Sequence, residues 1–343
     1  MGRRSASPRP RPRRRRRRLS RGAKIALWMG GGFVGLLGAL AVAVLIFALS
    51  LSSAISSNIT TLSSSEAFPK EETRPAPSEN GSRTILLLGS DARGAVSAVA
   101  DQDPDNQRSD VMMVVRIDAD RKNVEVMSVL RDSWIEIPGH GRAKANAAYS
   151  WGGAPLAVAT VENLLGVRID HVALIGFDGF ADMTNALGGI TVNNAVPFTR
   201  DGFDYVAGAN RLNGAQALGF VRERYSFTDG DYQRARNQQE FLRAIATQAI
   251  SANTLSNPER IFSFTTAVTK HLAVDESFTT QAMFELGVSL RDVRPANIHF
   301  FTLPTVGTGM EGDQSVVYLD EGALPAIRDA LRTDTLDEYV AGH

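Results

Sequence analysis

The chain has 343 residues, 43% of them hydrophobic, with 37 basic and 37 acidic side chains and no cysteine. This length exceeds the usual size of one domain, so we expect at least one folded domain with attached segments. The lack of cysteine excludes disulfides, thiolate zinc sites and thiol nucleophiles. The zero net charge is misleading, because 12 of the basic residues and no acidic residue fall within residues 1–24. The N-terminal tail is therefore basic and the remainder of the chain is acidic.

An uncharged apolar run of 25 residues, 25–49, follows the basic tail. At about 1.5 Å per residue, a helix over this run exceeds the ~30 Å hydrocarbon core of a bilayer, and it is longer than the core of a signal peptide. We therefore predict one transmembrane helix over 25–49. The positive-inside rule places the tail 1–24 in the cytoplasm and the remaining residues outside, on the extracytoplasmic side of the cell membrane. Gly31 and Gly35 form a small-xxx-small pair that would permit a homodimer of such helices.

The basic tail calls for an anionic partner. Nucleic acid is one candidate. Membrane lipid is the simpler one, because the tail is short, rich in Pro and Ser, and tethered beside the predicted span. We expect no nucleic acid. Residues 50–82 are rich in Ser, Thr, Pro and Glu without periodicity, which predicts a disordered extracytoplasmic stalk before a folded domain over 83–335.

Strands alternate with helices from residue 83 onward. Short apolar runs predict buried strands, the second and third joined as a hairpin: Thr84–Asp91, Val111–Asp118, Val124–Leu130, His171–Phe177, Ile190–Val192 and Ile298–Leu303. Helical periodicity predicts the intervening elements: Ala154–Leu165, Phe180–Leu187, Gly214–Val221, Tyr232–Ser251, Pro258–His271, Thr279–Asp292 and Asp320–Leu331. This alternation predicts an α/β fold, a layered α/β/α domain with a mixed central sheet, preceded by the one transmembrane helix.

Charged side chains gather at the ends of the apolar strands, where the ligands of α/β sheets bind. Asp91 follows the first strand, and Arg131 and Asp132 follow the third. Arg108 and Asp110 come just before the second strand, which would place them at the same edge if that strand is antiparallel to its neighbours. A denser cluster follows the short helix Gly214–Val221 and contains Arg222, Arg224, Asp229, Asp231, Arg234, Arg236, Gln238 and Gln239.

This combination of residue types indicates a metal-bridged pyrophosphate. Arginines present forked donors that match phosphate oxygens. Aspartates without His or Cys form the hard oxygen site that Mg²⁺ or Mn²⁺ prefers. For any single arginine a surface salt-bridge network is the alternative, since Arg234 and Gln238 lie at i, i+4 on one helix. The phosphate-loop pattern Gly-x4-Gly-Lys-Ser/Thr and the Gly-x-Ser-x-Gly elbow are both missing from the sequence, which disfavours a nucleotide triphosphatase and a serine hydrolase.

Four motifs follow one another between residues 83 and 252: RSDVMMVVRID, VMSVLRDSWIEIPGHGRAKANAAYSWGG, LNGAQALGFVRERY and DGDYQRARNQQEFL. In these motifs and their order the chain resembles the LytR-CpsA-Psr family. The most specific parts of this resemblance are the Arg-Asp after the third strand and the block Arg-x-Arg, Asp-x-x-Arg and Gln. The basic tail, single span and stalk also match the family's layout. Leu130 stands where the family often has Pro, and Asn237 where it often has Arg, so we do not count Asn237 as a phosphate contact.

The resemblance implies a membrane-anchored phosphotransferase. Such an enzyme moves a glycopolymer from a polyprenyl pyrophosphate carrier onto peptidoglycan through a phosphodiester bond. By this resemblance Asp91 and Asp110 hold Mg²⁺ or Mn²⁺. The catalytic residues would be Arg131, Asp132 and Asp231, the last positioning the attacking sugar hydroxyl or accepting its proton. The residues implied to bind the pyrophosphate are Arg108, Arg131, Lys144, Asn146, Arg222, Arg224, Arg234 and Gln238.

Two other functions stay open at this point. A pyrophosphatase would use the same site and carriers but admit water in place of the sugar hydroxyl. A non-catalytic envelope or transcription regulator would use the basic tail on DNA, which the predicted topology opposes. The identity of the glycopolymer is also open. The prenyl chain requires an apolar groove, for which Phe177, Phe180, Phe220 and Phe241 are candidates, although an ordinary core position is the favoured interpretation of each.

Overall fold

The computed structural model describes residues 46–47, 49–90 and 109–342, with only the backbone described at Ser90, Ser109 and Asp110. The chain divides into a unit that ends at Ser50 and a unit from Leu51 to His343. The predicted tail 1–24, and the predicted span 25–49 apart from a few residues at its end, lie outside the described residues. Within the described residues, no helix has the length and apolar character needed to cross a bilayer.

The second unit is built on short strands. In chain order the strands of the described residues are β1 (Thr60–Leu62), β2 (Arg83–Ser90), β3 (Ser109–Ile117), β4 (Val124–Ser128), β5 (Trp134–Ile137), β6 (Gly141–Lys144), β7 (His171–Gly176), β8 (Ile190–Asn194), β9 (Phe198–Arg200), β10 (Phe203–Tyr205), β11 (Gly208–Leu212), β12 (Leu272–Asp275), β13 (Ile298–Thr302), β14 (Thr305–Glu311) and β15 (Gln314–Leu319). Seven of them form a mixed central sheet in the order β1, β12, β7, β2, β3, β4, β13. The others pair as four hairpin-like ribbons outside it: β5 with β6, β8 with β11, β9 with β10, and β14 with β15.

The register of the central sheet brings several strand ends to one edge. β3 runs antiparallel to β2 and β4, as predicted, whereas β2 is parallel to β7 and β4 is parallel to β13. The carboxyl ends of β2, β4, β7 and β13 therefore lie beside the amino end of β3. We call this end of the sheet the carboxyl edge. It is formed by Ser90, Ser109, Ser128, Gly176 and Thr302.

Helices cover both faces of the sheet, which confirms the predicted α/β/α layers. In the described residues that follow β1, the α-helices are α1 (Ser64–Ala67), α2 (Ala145–Leu165), α3 (Phe177–Ala186), α4 (Gly214–Arg222), α5 (Gly230–Ala249), α6 (Ala252–Leu255), α7 (Pro258–Lys270), α8 (Thr280–Ser289), α9 (Leu324–Thr333) and α10 (Leu336–Ala341). Alternate residues of β2 face opposite layers, since Leu86 and Leu88 pack with α2 and α9 while Ile85 packs with α3, α4 and α5. Both layers close over fully buried side chains such as Val161 and Phe220.

Helix α2 begins earlier than predicted and contains a break. The helical periodicity predicted a start at Ala154, whereas the helix begins at Ala145 and is interrupted at Gly152 and Gly153. Gly153 has φ 61° and ψ −155°, a conformation that L side chains rarely adopt, and Pro155 follows it in the first turn of the second segment. The break ends the first segment at Trp151, which is left on the surface.

Residues 60–74 belong to the folded domain, which differs from the disordered stalk predicted over 50–82. β1 joins the edge of the sheet in parallel with β12. The guanidinium of Arg74 lies 2.7 Å from the carboxylate of Glu162, and both side chains are at most 5% exposed. This segment shows no apolar periodicity, because it is attached by one three-residue strand, two buried apolar side chains, Leu62 and Ala67, and one buried ion pair. At the other terminus α10 extends to Ala341, beyond the predicted end at 335.

Candidate active site

The candidate active site lies where the start of α5 approaches the carboxyl edge. Gln239 of α5 fixes this approach, because its Nε2 donates to Ser128 Oγ at 2.8 Å and to Thr302 Oγ1 at 3.0 Å. These two acceptors are the last residues of β4 and β13. Tyr232, earlier in α5, makes a second tie, with its Oη 2.8 Å from Thr305 Oγ1. The first turns of α5 are thereby held beside the loop that follows β4.

The loop after β4 carries Arg131 and Asp132, and the start of α2 holds it in place. The backbone N–H of Asn146 donates to the carbonyl of Arg131 at 3.0 Å. Lys144, just before α2, places its Nζ 3.3 Å from Asp132 Oδ1, and Arg131 Nε lies 3.5 Å from the same oxygen. The two sequence segments implied in the pyrophosphate site, 131–132 and 144–146, are therefore adjacent.

Asp132 and Asp231 form a pair of carboxyl groups whose pKa values are displaced in opposite directions. Burial raises the pKa of Asp231 to about 6; the charge of Arg234 works against this rise, while the hydrogen bond and the charge of Asp132 add to it. Burial also acts on Asp132, but the hydrogen bond from Asp231 and the charges of Arg131 and Lys144 outweigh it and lower its pKa. One carboxylate therefore stays ionised while the other titrates near neutral pH, the division expected of an acid–base pair.

Two arginines contact this pair, Arg131 and Arg234, and a third, Arg224, lies near them. Arg234 Nη2 lies 2.7 Å from Asp231 Oδ1, and the arginine side chain is almost fully buried. Arg224, in the loop between α4 and α5, donates from Nη2 to Tyr225 Oη at 2.7 Å. That hydrogen bond and the charge of Arg224 lower the pKa of Tyr225, and the charges of Arg131 and Arg234 lower it further. Arg131, Arg224 and Arg234 thus all act on one phenol, which is 82% exposed.

Arg222 and Gln238 lie on the neighbouring side of the carboxyl edge. The Cζ of Arg222 lies 5.0 Å from the ring centroid of Phe177, a cation–π contact at the end of β7. Gln238 is buried, and its Nε2 donates to the carbonyl of Val221 at 3.4 Å, which joins α5 to α4. Asn237 makes the equivalent contact, from its Nδ2 to the carbonyl of Phe220 at 3.2 Å.

The four phenylalanines considered for a prenyl groove are core residues. Phe177, Phe180, Phe220 and Phe241 are each at most 4% exposed and belong to one buried cluster. Phe180 stacks at a tilt on both Phe177 and Phe241, with ring centroids 5.3 and 4.9 Å apart. Their packing explains them without a ligand, which agrees with the favoured interpretation from the sequence.

The predicted metal ligands fall outside the described side chains. Asp91 and Arg108 lie outside the described residues, and only the backbone of Asp110 is described. Within the described part of the chain, no group of three or more His, Asp or Glu side chains could hold a metal ion. Asp132 and Asp231 do not fit such a role, because they contact each other and the cationic groups of Lys144 and Arg234.

A cavity of about 750 Å³ adjoins the site and was not expected from the sequence. Arg131, Asp132 and Lys144 form one of its walls. The remaining lining includes Trp134, His140, Arg142, Ser150, Trp151 and Gln314. One sequence feature could have predicted this cavity: two of the chain's 3 tryptophans lie within the short stretch that follows Arg131.

Comparisons with known proteins agree with the fold. The model of the LytR_cpsA_psr family matches residues 46–333. The chain is 35% identical over 251 residues to the polyisoprenyl-teichoic acid–peptidoglycan teichoic acid transferase TagU of Enterococcus faecalis, covering 73% of this chain and 78% of TagU. It is 28% identical over 281 residues to the cell wall biosynthesis protein LcpA of Corynebacterium glutamicum, covering 70% of this chain and 54% of LcpA. The crystal structure of B. subtilis TagV is similar with a TM-score of 0.62 at 25% identity, covering 75% of this chain and 98% of TagV.

Proposed function

The chain belongs to the LytR-CpsA-Psr family, and we propose that it transfers a glycopolymer from a polyprenyl pyrophosphate carrier onto peptidoglycan. The names of its relatives, a teichoic acid–peptidoglycan transferase and a cell wall biosynthesis protein, support this activity. The observation that carries the proposal is the pairing of Asp132 with Asp231 between the guanidinium groups of Arg131 and Arg234. Such a site combines a proton acceptor with donors for phosphate oxygens.

The arginines would bind the diphosphate and stabilise the charge that develops on it. A sugar hydroxyl of peptidoglycan attacks the phosphorus that carries the glycopolymer. A new P–O bond forms, the bond to the bridging oxygen breaks, and polyprenyl phosphate leaves. Arg131, Arg224 and Arg234 face a common region, and Arg222 lies beside it, so the oxygens of both phosphates can be contacted. Lys144, Asn146 and Gln238 are proposed to complete the binding site.

Asp231 is the proposed acceptor of the hydroxyl proton. Its pKa of about 6 leaves it mostly ionised at pH 7 yet far more basic than an ordinary aspartate. Asp132 is proposed to act through its neighbours: its carboxylate holds Arg131 and Lys144 in place and raises the pKa of Asp231.

We also propose that Asp91 and Asp110 hold Mg²⁺ or Mn²⁺. The support is positional: Ser90 pairs with Ser109 at the carboxyl edge, and Asp91 and Asp110 are the next residues of the chain. A bound divalent ion would supply further positive charge to the diphosphate. Asp132 and Asp231 are paired with each other and with the cationic groups of Lys144 and Arg234, so they leave this role to Asp91 and Asp110.

The predicted span 25–49 would keep the site close to its lipid-bound donor. Tethering both to one membrane raises their effective concentration without any new contact. We accordingly propose a single-pass protein of the cell membrane, with its basic tail 1–24 on cytoplasmic lipid and the domain outside.

The test is transfer by the full chain in detergent or lipid discs. It is supplied with labelled polyprenyl-pyrophosphate glycan, Mg²⁺ and a soluble peptidoglycan oligomer. We expect label to join the oligomer through a phosphodiester bond, and we expect chelation of the metal to stop the reaction. Release of free polymer phosphate regardless of the oligomer would instead identify a pyrophosphatase, and the proposed transfer would be wrong.

A further inference from the structure

We propose that the cavity beside Arg131, lined by Trp134, His140 and Trp151, binds the glycan strand of the peptidoglycan acceptor. This inference rests on the proposed function and names the part of the site that holds the second substrate. The cavity, of about 750 Å³, lies in the size range of small-molecule sites and shares a wall with the catalytic groups Arg131 and Asp132.

The aromatic side chains of this cavity are held on rigid elements. Trp151 is 51% exposed although it belongs to a helix, because the break at Gly152 and Gly153 ends the first segment of α2 there. Its ring lies at 5.1 Å, centroid to centroid, from the ring of His140. Trp134 is anchored from below, since it packs partly buried against the cluster of Ile137, Ala143 and Ala148. Three aromatic side chains therefore line one cavity beside the site, which is the kind of concave surface that binds a ligand.

The chemistry of the lining suits a sugar. The faces of pyranose rings carry C–H groups that pack on the negative face of an aromatic ring, while their hydroxyl and amide groups need hydrogen bonds. Ser150 and Gln314 offer hydroxyl and amide groups beside the rings. Arg142 also lines the cavity, and its Nη2 donates to Glu321 Oε1 at 2.7 Å and to the carbonyl of Trp134 at 3.2 Å. A prenyl chain has no polar groups, so it would leave the polar side chains of this cavity without hydrogen-bond partners.

The position of the cavity selects the acceptor over the glycan of the donor. In an in-line displacement the attacking oxygen enters opposite the leaving group. Asp132 and Lys144 border the cavity, and Asp132 contacts Asp231, the group proposed to accept the proton. Arg222, by contrast, stands at the end of β7 over Phe177. A glycan in the cavity would therefore present its hydroxyl to Asp231, while the carrier leaves on the side of Arg222.

Tryptophan fluorescence tests binding independently of catalysis. A full chain with the substitution Trp28→Phe retains only Trp134 and Trp151. Titration of this protein with a soluble oligomer of N-acetylglucosamine and N-acetylmuramic acid should change its emission in a saturable manner. The further substitution Trp151→Ala should weaken binding about tenfold, the effect of losing one stacked ring. Trp151→Phe should restore most of the affinity.

Kinetics complete the test. In the transfer assay Trp151→Ala should raise the KM for the oligomer about tenfold and leave the KM for the donor unchanged. Phe284→Ala, which removes a 70% exposed ring from α8, serves as the matched control and should change neither constant. Unchanged oligomer binding and KM in Trp151→Ala would overturn the proposal while leaving the transferase intact. Saturable binding lost in Trp151→Ala, in a protein that transfers nothing, would uphold the glycan site and refute the proposed function.

Discussion

Asp231→Asn should remove the acid limb from the pH dependence of transfer. With a pKa of about 6, Asp231 is about nine-tenths ionised at pH 7 and about one-tenth ionised at pH 5. If the ionised carboxylate accepts the proton, the wild-type rate should fall about tenfold per pH unit below pH 6. Asparagine accepts no proton, so the variant should lose about 10²–10⁴-fold in kcat, and its residual rate should be independent of pH in this range.

Burial of Asp231 destabilises its ionised form, and this determines how Asp231→Asn should affect the stability of the fold. A shift from the usual 3.8 to about 6 corresponds to roughly 3 kcal/mol in favour of the protonated form. The folded state is therefore most favoured where Asp231 is protonated, and this contribution is lost as pH rises through 6. A neutral amide mimics the protonated carboxyl, so Asp231→Asn should fold normally, with Tm at pH 8 equal to or above that of the wild type.

The assay is the initial rate of label transfer between pH 4.5 and 8, at saturating donor and oligomer. Asp132→Asn is the informative companion, because the hydrogen bond and charge of Asp132 help to raise the pKa of Asp231. In that variant we expect the acid limb to move to lower pH. A wild-type rate that stays flat from pH 5 to 7, or an acid limb that survives in Asp231→Asn, would refute the role of Asp231 as base.

Three further predictions concern Arg131 in the site and two buried carboxyl groups outside it, Glu162 and Glu125. Arg131→Ala should abolish transfer with an unchanged circular dichroism spectrum, since its side chain serves the diphosphate; full activity would contradict its assigned role. Arg74→Ala should cost about 3–5 kcal/mol in denaturant unfolding, because it leaves Glu162 charged, buried and without its partner; a loss below about 1 kcal/mol would contradict the importance of this ion pair. Burial, with the nearby charge and hydrogen bond of Asp118, raises the pKa of Glu125 to about 9, so wild-type stability should decline from about pH 4.5 to 9. Glu125→Gln should therefore raise Tm at pH 8.5, by about 2–4 °C for each kcal/mol that the ionised carboxyl costs the fold, and leave it nearly unchanged near pH 4.5; an equal gain at both pH values would contradict this cause.

The central strands were predictable because they are buried on both faces. The runs at β2, β3 and β4 are nearly continuous in apolar residues, and each predicted strand overlaps the observed one. The ribbon of β5 and β6 gave no such signal, since its strands have four residues and turn one side to solvent. For β1 the signal was weaker still, because its three residues are held by pairing with β12.

The break in α2 was readable only in part. Periodicity predicted the helix from Ala154 onward, and Gly152, Gly153 and Pro155 mark the interruption that the structure shows just before and after that residue. The short segment before the break has only a short apolar face, formed by Ala145, Ala148 and Tyr149. Its start is tied to the loop after β4, because the backbone N–H groups of Ala145 and Asn146 donate to carbonyls of that loop. Tertiary contacts thus created the element that places Trp151, and the sequence pattern alone could not reveal the cavity beside it.

The residue types of the site were predictable, but its proton chemistry was not. The charged residues after the third strand and after the short helix predicted Arg131, Asp132, Asp231 and Arg234 as site residues, because a diphosphate requires such groups. Two exposed aspartates among arginines would both ionise near pH 4 and could only balance charge. Burial of Asp231 beside Asp132 separates their pKa values, and that burial depends on the contacts of Gln239 that seat α5 on β4 and β13. The conversion of a salt-bridge network into an acid–base pair is therefore a property of helix placement, which no local sequence pattern encodes.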